Sequence, residues 1–473
     1  MRSLATHLRL EVMENRLVLS VYYVAPNGND GFDGSSQHPW QTLQHAADGV
    51  GAGDTVIVRA GAYRGFDLRN SGDSGAPITF SADPGVFITS AEAQRNRDGI
   101  NLEDFSGAIH DVVIDGFNIN GLPEAGIRAV GVPYNHASTI WILNNHCDSN
   151  GSWGIFTGFV DDLLIQGNET SRSVREHGIY VSNTSYRPVV RLNVSWGNHS
   201  NGIHFNGDLS EGDAGIISGA LVERNVIFDN GAGGGSGINC DGVQNSIFQN
   251  NLLYNNHASG ISLYDIDAAA GSIDNIVVNN TIIVAANGRW AINIQNGSTG
   301  NTLLNNILYN YHSYRGSINI SLDSLLGFTS DFNVVMNRFT PDDGDTILNL
   351  SLWQQLTGQD FNSIIATPDE LFVDPAGGDF HLLPTSPAIG MGTGQFAPKD
   401  DLDGNSRPSD SGWDIGAYQY VSTSPRGSII HSWQGIKPAE LAPDHLQADI
   451  LQALDKWFDH AENQPDGLFI GGR

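Results

Sequence analysis

A short sequence phrase recurs along residues 145–318, and it limits the folds that this chain can adopt. The phrase begins with an Asn near an apolar run, crosses a polar turn and ends in Gly-Ile followed by a short alternating segment. Successive Gly-Ile positions are 24, 24, 35, 23 and 31 residues apart. A period of this size predicts a stacked repeat in which each copy is one structural unit. The pairs are Gly154-Ile155, Gly178-Ile179, Gly202-Ile203, Gly237-Ile238 and Gly260-Ile261, with Ala291-Ile292 as the sixth.

Short apolar runs between the turns predict strands rather than helices. They are rich in Val, Ile and Leu, too short for helices, and bounded by Asn, Gly and Ser. Strands that recur once per coil can pair with the next coil, about 4.8 Å away. A recurring Asn at one bend then predicts a ladder of stacked amides, each bonded to the next. The recurring residues are Asn145, Asn168, Asn193, Asn225, Asn251, Asn280, Asn306 and Asn333.

The repeat and an opening segment at residues 22–31 resemble the right-handed parallel β-helix family, which has the pectate-lyase-like fold. The resemblance covers residues 22–420 and implies an all-β solenoid with an N-terminal capping helix. Leu43, Ala46, Ala47 and Val50 stand at helical spacing and suit such a cap, because the first coil must hide an unpaired edge. Function has to be argued from a site, since one fold supports many activities.

The chain divides into four predicted segments. Residues 1–20 form a leader, residues 21–420 the β-helix domain, residues 421–428 a linker and residues 429–473 a helical tail. Residues 13–20 resemble the Leu-Glu-x-Arg-x-Leu-Leu-Ser segment of bacterial surface proteins, which implies a secreted or cell-surface protein. In the tail, Leu446, Ile450, Leu454 and Trp457 repeat at helical spacing and predict an amphipathic helix.

Charge and composition restrict the partners. The formal charge is −29, from 52 acidic and 23 basic residues, which argues against nucleic acid as a ligand. It also disfavours a bare polyanion unless a cation or local arginines bridge it. The two cysteines, Cys147 and Cys240, are predicted to be buried free thiols. No apolar run is long enough to span a membrane, and we expect a monomer.

Side chains after each Gly-Ile alternate between the core and the surface. The predicted inward column is apolar apart from Thr157, which supports this register. The first predicted outward column is Phe156, Tyr180, His204, Asn239, Ser262 and Asn293. The second is Gly158, Ser182, Asn206, Asp241, Tyr264 and Gln295. A solenoid face with only a structural role needs no such set of aromatic, imidazole, amide and carboxylate groups.

This face has the composition of a sugar-binding groove, because flat rings suit pyranose faces and amides suit hydroxyl groups. The residues predicted to bind substrate are Asn206, Asn239, Tyr264, Asn293, Gln295 and Trp153. Two insertions, at residues 207–215 and 265–271, leave the ends of these strands. Insertions on one side of a repeat often mark its binding side, so we expect them to wall a cleft.

The first candidate reaction is β-elimination or epimerisation at a uronate. Both reactions need a base, an acid and a group that neutralises the sugar carboxylate. His204 and Tyr180 share a column in adjacent coils, and His177 and Arg175 belong to the coil of Tyr180. The predicted catalytic set is therefore His204, Tyr180, His177 and Arg175, with Arg175 as a candidate to neutralise the carboxylate.

Calcium is a predicted cofactor, because hard cations take oxygen ligands. The candidate ligands are Asp208, Asp241, Glu211 and Asp213. The sequence departs from the family in one respect. Many β-helix lyases use a Lys as the base, but the first Lys of this chain is Lys399, which lies beyond the repeats. A base at this face would then be an Arg, a His or a Tyr.

Two other functions stay open. Glycoside hydrolysis needs two carboxyl groups about 5–9.5 Å apart, and Asp208, Asp241 and Asp265 come from successive coils. A glycan-binding or adhesive surface protein needs no reactive group at all, and the same histidines and aspartates could bond to turns.

After Asn333 the repeat becomes irregular. Leu352, Trp353 and Leu356 predict one or two turns of amphipathic helix. Residues 381–389 and 414–418 resemble the closing motif of bacterial surface β-helix proteins, which implies that this motif finishes the stack.

Overall fold

The computed structural model describes residues 20–104 and 108–422. Almost all of the predicted leader, most of the linker and the predicted helical tail lie outside these residues. Within them the chain winds into parallel coils, and each coil passes through three parallel sheets in turn. The predicted all-β solenoid is confirmed, with about 11 turns.

The three sheets contain 13, 12 and 11 strands. The strands of sheet 1 are Val21–Val24, Thr55–Val58, Ile78–Ala82, His110–Asp115, Ala137–Leu143, Val160–Asp161, Leu164–Gln166, Val189–Arg191, Leu221–Glu223, Ile247–Gln249, Ile276–Val278, Thr302–Leu304 and Thr329–Asp331. Those of sheet 2 are Gly61–Arg64, Val86–Ser90, Asn118–Asn120, His146–Asp148, Glu169–Ser171, Val194–Trp196, Val226–Phe228, Leu252–Tyr254, Thr281–Val284, Ile307–Asn310, Val334–Val335 and Ile364–Ile365. Those of sheet 3 are Phe66–Leu68, Ile100–Leu102, Ala125–Val130, Trp153–Gly158, Ile179–Ser182, Ile203–Asn206, Ser236–Asp241, Ser259–Tyr264, Ile292–Ile294, Ile318–Ile320 and Phe339–Thr340.

The remaining described elements are short. Three small strands pair beside sheet 3, at Ser185–Tyr186, Ile217–Ser218 and Val243–Gln244. Phe372–Asp374 and Asp379–Leu382 form an antiparallel pair. The α-helices are α1 (Leu43–Gly49), α2 (Leu350–Thr357) and α3 (Pro368–Leu371), and the 3-10 helices are Leu209–Glu211 and Leu322–Ser324. None of the described helices is long and apolar enough to cross a membrane.

One continuous apolar core fills the inside of the coils. The predicted inward column after Gly-Ile lies in it, with Val181, Phe205 and Leu263 almost completely buried. Thr157, the polar exception, also points inward, and its hydroxyl donates to the Tyr180 carbonyl oxygen at 3.4 Å. Cys147 and Cys240 are buried and free, as predicted.

The close approach of the next coil requires a glycine at the recurring Gly position of the phrase. A Cβ atom added to Gly154 would lie 2.6 Å from the carbonyl oxygen of Gly178. One added to Gly202 would lie 2.8 Å from the carbonyl oxygen of Gly237. Because the coils approach so closely here, a residue without a side chain is needed at this position.

The predicted asparagine ladder is confirmed in full. In each step, the backbone N–H and the side-chain Nδ2 of one Asn donate to the Oδ1 of the Asn in the following coil. The two distances are 2.9 and 3.0 Å from Asn145 to Asn168, and 2.8 and 3.2 Å from Asn306 to Asn333. The intermediate steps have the same pattern. The ladder therefore satisfies buried polar groups in every coil that it crosses.

Helices α1 and α2 cover the two ends of the core. In α1, Leu43, Ala46 and Ala47 are buried against the first coils, as predicted. In α2, Trp353 is completely buried, stacks on Phe339 at 5.0 Å and donates from Nε1 to Asp360 at 2.8 Å.

The predicted short amphipathic helix is confirmed as α2, but two of the three residues that predicted it are not buried. Leu352 and Leu356 are 47% and 52% exposed, because the single ring of Trp353 covers the last coil.

The prediction that the closing motif finishes the stack is also wrong. Its apolar residues form a second cluster that lies against sheet 2, outside the coils. That outer face carries apolar side chains such as Leu252 and Ile307, which need a cover. Asn279 anchors the cover by donating to the carbonyl oxygens of Asp414 and Gly416, at 3.0 and 3.1 Å. The motif therefore shields a flank of the solenoid rather than its end.

Candidate functional site

Sheet 3 carries the predicted columns on its outward face. Its register pairs Phe156 with Tyr180, Tyr180 with His204, and His204 with Asn239 in neighbouring strands. The column then continues through the next coils to Asn293. The second column follows the same order, as Gly158, Ser182, Asn206, Asp241 and Tyr264. The predicted alignment is confirmed, whereas the catalytic roles of these residues stay predictions.

Four rings at the start of the columns form one cluster. The ring centroids of Trp153 and Phe156 are 4.6 Å apart, and those of Phe156 and Tyr180 are 5.4 Å apart. Tyr180 and His204 stack almost parallel, with centroids 4.8 Å apart. Because the rings pack on one another, each is half-buried and holds its neighbours in place.

A chain of hydrogen bonds fixes which nitrogen of His204 carries the proton. The Ser236 N–H donates to Asn201 Oδ1 at 2.5 Å, which turns the Asn201 Nδ2 toward His177. Asn201 Nδ2 and its backbone N–H both donate to His177 Nδ1, at 3.2 and 3.3 Å, so this nitrogen is an acceptor. His177 is then protonated on Nε2, which donates to His204 Nδ1 at 3.0 Å. His204 therefore carries its own proton on Nε2.

Burial keeps this group of side chains neutral. It lowers the pKa of His177 to about 3. Burial, with a smaller effect of His177, also lowers the pKa of His204 well below its usual value. Burial raises the pKa of the Tyr180 hydroxyl. His204 Nε2 is buried without a hydrogen-bond partner among the described residues, so the site offers a neutral N–H donor that lacks an acceptor.

A cleft of about 560 Å³ lies along sheet 3 on the C-terminal side of His204. Two predicted substrate-binding residues do not line it. Asn206 is buried in the second column, and Trp153 belongs to the ring cluster. The four that do line it are Asn239, Tyr264, Asn293 and Gln295.

Polar side chains in the cleft are already oriented by their neighbours. Asn239 Nδ2 donates to the Tyr264 hydroxyl at 2.5 Å, and Ser236 Oγ donates to Asn239 Oδ1 at 3.1 Å. Burial raises the pKa of Tyr264, so its hydroxyl keeps a proton that it can donate. Asn293 Oδ1 accepts from Asn319 Nδ2 at 2.8 Å. Such fixed groups suit the hydroxyls of a bound sugar.

The two predicted insertions lie side by side at the ends of the sheet 3 strands. The backbone N–H of Leu209 donates to the Asp267 carbonyl oxygen at 3.0 Å, and that of Ala269 donates to Gly215 at 3.0 Å. Ile266, from the second insertion, lines the cleft. The second insertion thus forms part of the cleft wall and the first packs against it.

The four predicted calcium ligands are not brought together. Asp208 caps the 3-10 helix Leu209–Glu211 by accepting from Ser210. Asp213 accepts from the Tyr134 N–H, and Asp241 from two backbone N–H groups of the second insertion. Within residues 20–104 and 108–422, no three His, Cys, Asp or Glu side chains converge as a metal site. The carboxylates therefore do not fit the calcium prediction, which has no other support.

Arg175 is anchored to the two preceding coils. Its Nη2 donates to Glu124 Oε2 at 2.9 Å, to Ser152 Oγ at 2.8 Å and to the Pro123 carbonyl oxygen at 2.9 Å. Among the described residues, no hydrogen bond or ion pair joins Arg175 to Tyr180 or His204, so the structure does not connect Arg175 with these two candidate catalytic residues.

The outward column begins earlier than the sequence analysis predicted. Asp67, Asn101 and Arg128 occupy it in the first three strands of sheet 3. Gly99-Ile100 and Gly126-Ile127 are further copies of the repeated phrase and could have located two of these positions. Arg289 and Arg315, which line the cleft, were also missed.

A comparison with protein families agrees with the β-helix fold. The family model described as "Right handed beta helix region" matches residues 75–212. The protein is a right-handed parallel β-helix. The structure of pectate lyase Pel9A resembles this β-helix with a TM-score of 0.56 and 17% identity, over 85% of this chain and 96% of that chain. At this identity the likeness establishes the fold alone.

Two curated relatives match parts of the β-helix. The uncharacterized protein YwoF of Bacillus subtilis (strain 168) is 35% identical over 133 residues, which are 26% of this chain and 28% of the relative. Pectate lyase PEL9 of Emericella nidulans is 25% identical over 218 residues, which are 43% of this chain and 47% of the relative. The chain thus spans less than half of each relative.

Proposed function

We propose that this β-helix acts on a polysaccharide that lies along the outward face of sheet 3. The observation that carries the proposal is the continuous line from Tyr180 and His204 into the cleft at Asn239 and Tyr264. A line of polar groups across successive coils suits a polymer, because each coil can contact a different part of it. The partial match to a relative named as a pectate lyase supports a carbohydrate ligand.

The reaction proposed is elimination or epimerisation at a uronate, with Tyr180 and His204 at the reacting sugar. As a proton leaves the carbon next to the carboxylate, negative charge grows on the carboxylate oxygens. The His204 Nε2–H and the protonated Tyr180 hydroxyl are neutral donors that can stabilise this charge. His177 and Asn201 are positioning residues, since they fix the proton of His204. The reaction also needs a base other than His204 Nε2 to take this proton, and an acid that protonates the departing glycosidic oxygen in elimination or returns a proton to the opposite face of the carbon in epimerisation.

Product analysis tests the reaction class. Purified protein is incubated with polygalacturonate, alginate and a neutral glycan. Unsaturated sugar ends, which absorb ultraviolet light, identify elimination, and deuterium incorporation from heavy water without chain cleavage identifies epimerisation. New reducing ends without that absorbance would replace the proposal with hydrolysis. Retention of the glycan with no product would replace it with a binding protein.

His204 variants test the donor role. We expect His204→Ala to lower turnover by at least 100-fold, because a charge-stabilising donor typically contributes this much. The amide of His204→Gln can place an N–H group near the position of Nε2, so we expect it to restore part of the loss. His257→Ala, which removes a ring bonded to Asn287 at 2.9 Å in a turn, is the control with unchanged turnover. Equal loss in the Ala and Gln variants would contradict a donor role.

A further inference from the structure

Three arginines follow one another at the edge of sheet 3, at its C-terminal end. Arg289 and Arg315 each stand three residues before a paired Ile, Ile292 and Ile318, and so occupy equivalent positions in adjacent coils. Arg338 directly precedes the next paired strand. The turns that hold them are bonded together, since Arg315 Nη1 donates to the Gly288 carbonyl oxygen at 3.0 Å. We call Arg289, Arg315 and Arg338 the arginine edge.

The arginine edge has no acidic partner, which is unusual in a chain with a formal charge of −29. In the central coils, Arg172 and Arg187 pair with aspartates of the preceding coil at 2.5 and 2.7 Å. Across residues 20–104 and 108–422, no carboxylate oxygen lies within 4 Å of a side-chain nitrogen of the three arginines. Burial, and then the charges of Arg315 and Arg338, lower the pKa of His312 between them. The edge is therefore a local excess of positive charge.

Two further donors at this end of the cleft lack acceptors. Trp290 is 1% exposed, and its Nε1 has no partner among the described residues. The same is true of Arg315 Nε. Trp290, Arg315 and Arg289 all line the cleft. Burial of an N–H group without an acceptor is unfavourable, and oxygen atoms of a ligand in the cleft could accept from these two donors.

One carboxylate also lines the cleft. Asp343 Oδ1 accepts from Asn319 Nδ2 at 2.9 Å, and the Asp343 N–H donates to Asn319 Oδ1 at 3.2 Å. Asp343 is thus hydrogen-bonded to Asn319 and forms no ion pair with the three arginines. The guanidinium of Arg289 and the Nε–H of Arg315, whose Nη1 is bonded to Gly288, stay available for a negatively charged ligand.

We propose that Arg289 and Arg315 bind the acidic group of a sugar, a carboxylate or a sulfate, and select acidic glycans. Arg289 and Arg315 precede the strands three and four coils beyond that of His204, about 14 and about 19 Å along the sheet at the usual strand spacing. The subsite therefore holds a different sugar of the same polymer from the one at His204. Guanidinium groups suit such oxygens, because they donate two parallel hydrogen bonds. The inference rests on the proposed function for the glycan nature of the ligand.

Binding to matched oligosaccharides tests the subsite. Binding is measured by calorimetry in the His204→Ala background, so that turnover does not consume the ligand. The probes are oligomers of galacturonic acid, the same oligomers with reduced carboxyl groups, and a sulfated galactose oligomer. We expect Arg289→Ala, which removes an exposed side chain without a hydrogen-bond partner, to weaken binding of the acidic probe about tenfold, equivalent to about 1.4 kcal/mol. Binding of the carboxyl-reduced probe should not change.

The controls separate this inference from the proposed function. Arg187→Ala removes an exposed arginine that is paired with Asp162, and it should leave binding unchanged. Preference for the sulfated over the carboxylated probe would identify sulfate as the acidic group. Unchanged binding of both acidic probes in Arg289→Ala and Arg315→Gln would overturn the subsite, even if the wild type turns over a polysaccharide. If Arg289→Ala and Arg315→Gln bind the acidic probes more weakly but the wild type yields no product, the subsite is supported and the proposed reaction is rejected.

Discussion

At the scale of the residue, Asn201 determines which nitrogen of His204 carries the proton. Its side chain is held by the Ser236 N–H, and its two donors make His177 Nδ1 an acceptor. The proton of His204 is therefore placed on Nε2 by a residue that does not touch it. The outward direction of His204 follows from strand alternation and was predicted. Its tautomer depends on contacts between coils 24 and 35 residues apart, which no local pattern contains.

The neutral state of His177 predicts a loss of stability in acid. The pKa of a histidine in the unfolded chain is 6.5, and burial lowers that of folded His177 to about 3. Below about pH 6.5 this histidine is protonated in the unfolded state but stays neutral in the folded state. The free energy of unfolding should then fall by about 1.4 kcal/mol per pH unit between about pH 6.5 and pH 3 from this group. His177→Gln should remove this part of the slope.

Urea denaturation of both proteins across this pH range measures the difference. The free energy of unfolding in the wild type should decline more steeply than in His177→Gln. Parallel curves would mean that His177 is protonated in the folded state, and a histidine NMR titration would report its pKa directly.

At the scale of the element, the asparagine ladder holds the coils in register. Its position was predictable because one residue type recurs at one bend. The role of α2 was only half predictable: the helix follows from local spacing, but the face it buries depends on the shape of the last coil. The C-terminal cover could not be placed from sequence, because its partners lie far away in the chain: Asp414 accepts from Asn279, which is 135 residues earlier.

Removing one amide from the ladder should be costly. Asn225 accepts two hydrogen bonds from Asn193, at 3.0 Å each, and donates two to Asn251. Asn225→Ala leaves buried donors of Asn193 without an acceptor, so we expect the free energy of unfolding to fall by about 2–4 kcal/mol. Chemical denaturation checks this value. Asn287→Ala, at an exposed turn, is the control and should change stability by less than about 0.5 kcal/mol.

At the scale of the whole molecule, each coil contacts mainly the coils before and after it. Stability in such a stack is close to a sum of units and interfaces, so damage at one end should stay local. The repeat in the sequence predicts this behaviour. The arginine edge was not predicted, because Arg315 and Arg338 precede strands that do not begin with the Gly-Ile pair, so the phrase did not draw attention to their turns.

Trp353→Ala tests whether a loss of stability at one end of the solenoid spreads to distant coils. It removes the ring that covers Phe339, so hydrogen exchange should become faster in Ile318–Ile320 and Phe339–Thr340. Exchange in Thr55–Val58, at the other end, should keep its wild-type rate. Leu356→Ala alters an exposed residue of the same helix and serves as the control. A uniform increase along the chain would mean that the coils unfold as one unit.

The hydrogen bonds between one ladder Asn and the next all run in one direction, from Asn145 toward Asn333. Their dipoles therefore add, and the line of amides has a positive pole at its C-terminal end, as a helix has at its N-terminus. Asn333 Nδ2 donates there to the buried carboxylate of Asp360, at 3.2 Å, beside the Trp353 indole on the same group. The solenoid thus places an acidic side chain, whose pKa is raised by burial, at the positive pole of the ladder, and the two ends of the ladder have different partners.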